Sequence, residues 1–103
     1  MQGTYYGTTA IMVTAIVLIN TAYGSTNSAA ASLADLPGIS EVYSVGGSFD
    51  VVAIVRVSSN EAIAELVTQR IVEVDGIVNT ETMIAFEAYS RHDLERVFSI
   101  GME

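Results

Sequence analysis

The stretch Val51-Val52-Ala53-Ile54-Val55 is aliphatic at every position. Side chains alternate across a strand, so Val51, Ala53, Val55 and Val57 share one face while Val52 and Ile54, ahead of Arg56, share the other. The run Val78 to Tyr89 repeats this pattern, with Thr82, Ile84, Phe86 and Ala88 opposed to Met83, Ala85 and Tyr89. A sheet with one wetted face alternates apolar with polar residues. These strands do not, so the fold has to cover both faces of a sheet.

The rest of the chain supplies one layer of cover. Met12 to Ile19 is rich in β-branched residues and reads as a first strand. "STNSAAASLADLPG" reads as a short helix, with Ser and Thr as cap candidates, Leu33 and Leu36 on one face and Pro37-Gly38 as the stop. Ile39 to Val45 and Phe49 or Asp50 to Val57 read as a hairpin turning at Gly46 to Ser48. Ser58 followed by Glu61 is a capping-box pattern, and Ile63, Leu66, Val67, Ile71 and Val74 place one stripe on a second helix ending at Asp75-Gly76. Residues 1–11 read as a flexible arm, or as an edge strand carrying the tyrosines, and Ser90 with Asp93 opens a short terminal helix ending near Phe98.

The order is βαββαβ, with "LPGISEVYSV" after the first helix echoed by "VDGIVNTETMI" after the second. It predicts an α+β, ferredoxin-like domain over residues 12–103: a four-stranded antiparallel sheet with two helices on one face. Leaving several hundred Å² of the other face wet forfeits on the order of 10 kcal/mol at ~25 cal/mol per Å². A second sheet is the expected cover, giving a homodimer or larger ring. The alternative is the arm or a strand edge folding back.

Composition narrows the function. Twelve acidic residues face four arginines and no lysine, a net charge of −8, so the phosphate backbone of a nucleic acid is repelled. There is no cysteine and a single histidine, which removes thiolate sites and most metal sites. The apolar run Ile11 to Ile19 is too short to span a bilayer and no basic residue precedes it, so neither a membrane span nor a secretory signal is expected and the cytoplasm is the default location.

Two places carry chemistry. A carboxylate at a strand start beside Gly46 and Gly47 offers an acceptor for an ammonium next to bare backbone N–H donors for a carboxylate, the two ends of an α-amino acid. On the residues alone, Asp50 reads first as a turn residue bonding its neighbours across the glycine bend. Thr80 and Thr82 put two hydroxyls on one face of the last strand, although threonine is common in strands by propensity alone.

Together, "LADLPGISEVYSVGGSFDVVAIVRV" and "VDGIVNTETMIAFEAYS" resemble the ligand-binding, or RAM, domain of the Lrp/AsnC regulators, over roughly Met12 to Ser99. The marks are Pro37-Gly38 after the helix, Gly47 to Asp50 before an aliphatic strand, and Thr80 with Thr82 opening the last strand. The resemblance implies a dimeric α/β barrel, sheets face to face, assembling into octamers or similar rings, with an amino acid bound between dimers. It implies ligand contacts at Gly46, Gly47, Asp50, Thr80 and Thr82, no cofactor, no metal and no catalytic residue. Family regulators carry a helix-turn-helix domain, for which the residues before the first strand are too few, so the chain looks like a stand-alone form able to co-assemble with full-length regulators. The doubled glycine and Phe49 are departures that bear on ligand choice.

The competing function is a cofactor-free dimeric α+β barrel enzyme of the monooxygenase or isomerase kind, with His92 as acid or base. His92 lies in "SRHDLER" among Arg91, Asp93 and Glu95 and reads better as a solvated helix face, while Arg56 reads as half of an end-of-strand ion pair. Glu61, Glu65, Glu73 and Asp75 read as the wet side of the second helix.

Overall fold

The computed structural model describes residues 12–89. The arm expected over residues 1–11, the helix expected from Ser90 and the lone His92 lie outside them. The elements run β1 (Val13–Thr21), α1 (Thr26–Ala34), β2 (Ile39–Ser44), β3 (Val51–Val57), α2 (Asn60–Glu65) and β4 (Ile77–Ile84). All pairings are antiparallel and the strand order is β2-β3-β1-β4, the ferredoxin-like arrangement.

The two central strands carry apolar residues on both faces. Ala15, Val17 and Ile19 of β1 and Val51, Ala53 and Val55 of β3 are fully buried, and they pack with Leu33 of α1 and with Ile63, Leu66 and Ile71 of the second helical segment. Their alternates, Ile16 and Leu18 on β1 and Val52 and Ile54 on β3, are only half-buried. The register sets Ile16 between Ile54 and Met83, and Leu18 between Val52 and Glu81, with Tyr43 beyond Val52. Tyr43 stays 50% exposed and Met83 43%. This second face has an apolar centre rimmed by Glu41, Arg56, Asn79 and Glu81.

Three local expectations shift. The cap of α2 is Ser59, not Ser58: the Ser59 hydroxyl accepts the Ala62 N–H at 3.1 Å. The helix then widens into a π turn over Leu66–Arg70 and closes in a 3₁₀ turn over Ile71–Glu73. Two causes coincide there. The Thr68 hydroxyl donates to the Ala64 carbonyl at 2.7 Å, occupying the acceptor a regular helix gives to the Thr68 N–H. On a regular helix a five-residue step from Leu66 to Ile71 turns roughly 140° away from the core; the wide turn, with the Ile71 N–H reaching Leu66 O, keeps both buried.

The last strand is also shorter than its apolar pattern. The pattern runs to Tyr89 but the strand ends at Ile84, opposite Ala15; the Ala85 N–H makes one more bond, to Thr14 O at 2.9 Å, and β1 continues to Val13 paired only with β3 among the described residues. Phe86 and Tyr89 beyond it are 94% and 80% exposed. Asn79 and Glu81 lie on the second face, so β4 contributes only Met83 to its apolar centre.

Candidate functional site

The C-terminal end of β1 meets the start of β3 and the start of β4 at one end of the sheet. Three loops gather there, tied by the Ala22 N–H to Gly76 O at 2.7 Å and by the Asp50 N–H to Ile19 O at 2.9 Å. The hairpin loop between β2 and β3 is closed by the Val45 N–H to Asp50 O at 3.0 Å, leaving Gly46, Gly47 and Ser48 exposed at its tip. Gly47 has φ of +122°, open to glycine and strained for other residues, whereas Gly46 has no positive φ.

The Asp50 carboxylate does not bond across the glycine bend. Its Oδ2 accepts the backbone N–H of Thr21, 29 residues away on β1, at 2.8 Å, and the Thr21 hydroxyl at a longer 3.3 Å. The Thr21 hydroxyl in turn pairs with that of Thr26, the first residue of α1, at 2.8 Å. Asn20 next door donates its amide to Ser48 O at 2.9 Å, fastening the loop. The Thr21 N–H, foremost, holds the Asp50 carboxyl below the usual carboxylate range; partial burial opposes this, and the Asn20 amide and Thr21 hydroxyl add to it. The result is an ionised carboxylate with Oδ2 anchored by both Thr21 bonds, neither of which falls on Oδ1.

Thr80 and Thr82 sit elsewhere. They stand opposite Ile19 and Val17, on the helix-covered face, and β1 separates their strand from that of Asp50. Two strand spacings amount to about 10 Å, several times the separation of the two ends of an amino acid. The glycine turn and Asp50 therefore form one cluster in the protomer and the threonines another. Within the second, the Thr82 Oγ1 is buried with no hydrogen-bond partner among the described residues, a costly state for a hydroxyl.

The remaining candidates fall away from this end. Arg56 donates to the Ser40 hydroxyl at 2.7 Å, and among the described residues it makes no ion pair. It shares a polar corner of the second face with Tyr43, whose hydroxyl is held above its ordinary value chiefly by a hydrogen bond to Glu41. A hollow of about 290 Å³ lies between Pro37-Gly38, Val57-Ser58 and the second helix at Ala62, Glu65, Leu66 and Arg70. Among the described residues no three acidic or histidine side chains group to hold a metal, and no helix is long and apolar enough to cross a membrane. Sequence reasoning missed Asn20, Thr21 and Thr26; the available signal was register, since pairing Ile19 with Val51 sets Asn20 and Thr21 beside Asp50.

The sequence profile described as the Lrp/AsnC ligand binding domain matches residues 14–94. An uncharacterized HTH-type transcriptional regulator of Pyrococcus furiosus is 33% identical over 57 residues, 55% of this chain and 38% of its own length, so the match spans well under half of that curated relative. A crystal structure from Thermus thermophilus is 42% identical with a TM-score of 0.72, covering 77% of this chain and 99% of that one. The feast or famine regulatory protein of M. tuberculosis, solved as a complex with L-methionine, is 26% identical with a TM-score of 0.66, covering 88% of this chain and 61% of that one.

Proposed function

Because the chain belongs to the Lrp/AsnC ligand-binding-domain family, we propose that it is a non-enzymatic, amino-acid-responsive regulatory module of the cytoplasm. The observation that carries this reading is Asp50, ionised, anchored by one oxygen and set beside an exposed glycine turn. The second oxygen takes the ligand ammonium, and the N–H groups of the Gly46-Gly47 tip take its carboxylate. The L-methionine complex of the M. tuberculosis relative supports an amino acid as the ligand class.

Thr80 and Thr82 join this site from another copy. The ammonium and carboxylate of one amino acid do not bridge Asp50 and the threonines across β1, and the reading places the threonine contacts at a meeting of subunits. Copies pair through the apolar second face around Ile16, Leu18, Val52 and Ile54, and dimers assemble into an octamer or similar ring. The ligand then biases assembly through its different affinity for the assembled and dissociated states. Full-length regulators of the family are natural co-assembly partners. The barrel-enzyme reading needs Arg56 to line a cavity, and Arg56 instead lies on the sheet face bonded to Ser40.

Thermal denaturation of the wild type and Asp50→Ala with each of the twenty amino acids tests the proposal. At least one amino acid should stabilise the wild type and lose its effect on the folded variant. A wild type indifferent to all twenty refutes the reading.

A further inference from the structure

Thr21 gives Asp50 both its backbone N–H, at 2.8 Å, and its hydroxyl, at 3.3 Å, on the same oxygen. An ionised carboxylate only accepts, so the Thr21 hydroxyl is the donor to Asp50. Its remaining contact, with the Thr26 hydroxyl at 2.8 Å, must then run the other way, Thr26 donating to Thr21. The three residues form a directed chain from the first residue of α1, through the end of β1, to the start of β3. The backbone half of the clip is present whatever residue stands at 21. The hydroxyl half depends on a side chain, and for fastening β1 to β3 alone it adds little to a ladder that already pairs seven residues from Val13 to Ile19.

We propose that Thr21 is a positioning residue for the amino-acid site: its hydroxyl, oriented by Thr26, pins Asp50 Oδ2 so that Oδ1 alone is presented to the ligand ammonium. This rests on the proposed function above and extends it to two residues outside the glycine turn. The physical gain is preorganisation. A carboxylate free to rotate would offer either oxygen and would have to be ordered on binding, whereas one held at Oδ2 has that cost already met. The groups acting on Asp50 from β1, Asn20 and Thr21, are uncharged, as is Thr26 behind them on α1, so hydrogen bonding and not a neighbouring ion sets the state of the carboxylate.

The test compares the wild-type chain with Thr21→Val, Thr21→Ser and Thr26→Val by two readouts. One is the titration of the Asp50 carboxyl carbon by NMR without ligand; the other is the concentration of amino acid, L-methionine first and then the other nineteen, giving half-maximal thermal stabilisation. Thr21→Val should move the Asp50 titration upward towards the ordinary carboxylate value and raise the half-maximal concentration about three- to tenfold, the range of one hydrogen bond. Thr21→Ser should restore both, and Thr26→Val should move both in the same direction by less, which also serves if Thr21→Val fails to fold. A Thr21→Val that melts lower but keeps the wild-type titration and half-maximal concentration makes the clip purely structural and overturns the proposal. A wild type that responds to no amino acid refutes the proposed function instead, and the inference with it.

Discussion

Ile16→Lys probes the second sheet face where the prediction is sharpest. Ile16 lies at the centre of that face, flanked by Ile54 and Met83, and is half-buried in the protomer. Its side chain points away from the core built on Ala15 and Val17, so a lysine there can extend into water in an isolated chain. In a face-to-face pair it cannot. Burying the rest of an isoleucine contributes about 1 kcal/mol, half of the full value for such a side chain, and desolvating an unpaired ammonium costs a few kcal/mol more. A two-fold interface counts each substitution twice, so the pair loses roughly 6 kcal/mol, or about four orders of magnitude in dissociation constant. Analytical ultracentrifugation at micromolar concentration reads this directly: the wild type sediments as a dimer or larger species and Ile16→Lys as a folded monomer. Val72→Lys is the control, since Val72 is 57% exposed on the helical layer. An Ile16→Lys chain with the wild-type mass, or a Val72→Lys chain that dissociates equally, would show that the second face is not where copies meet.

Acid should expose the state of Asp50. A carboxyl held below its usual range contributes stability present above the ordinary carboxylate pKa and lost as pH falls through the lowered folded value; urea midpoints should therefore show wild type above Asp50→Asn at neutral pH and the two converging in acid. The glycine tip should discriminate between its two members: Gly47→Ala, at φ of +122°, costs about 1–3 kcal/mol in urea denaturation, while Gly46→Ala, with no positive φ and nothing within 4 Å of a Cβ, stays near zero.

Much of the architecture was legible because it rests on periodicity and punctuation, which are local. The two-faced pattern of Val51 to Val57 announced an apolar second face, and the alternation in Ile39 to Val45 and the stripe from Ile63 to Val74 placed elements within a residue or two of where the structure has them. Asp50 was recognisable as out of place at the mouth of an aliphatic strand. The slips were of one or a few residues and had physical causes: two adjacent serines compete for one cap, and the Thr68 hydroxyl competes with its own backbone for the Ala64 carbonyl. The overlong β4 reflected an apolar alternation that continues past the last pairing of the strand with β1, at Ile84 and Ala85.

The amino-acid order alone determined that this chain builds a four-stranded sheet with helices on one side, an apolar other side, and a carboxylate beside a glycine turn. Only the tertiary structure decided what that carboxylate touches and what it does not. Its partner is Thr21, 29 residues distant, and Thr80 and Thr82 stand beyond β1 on the helix-covered face. The reason is strand order. A strand pattern states which side a residue faces, but which strand lies next to which, and in what register, follows from packing the whole sheet against its helices.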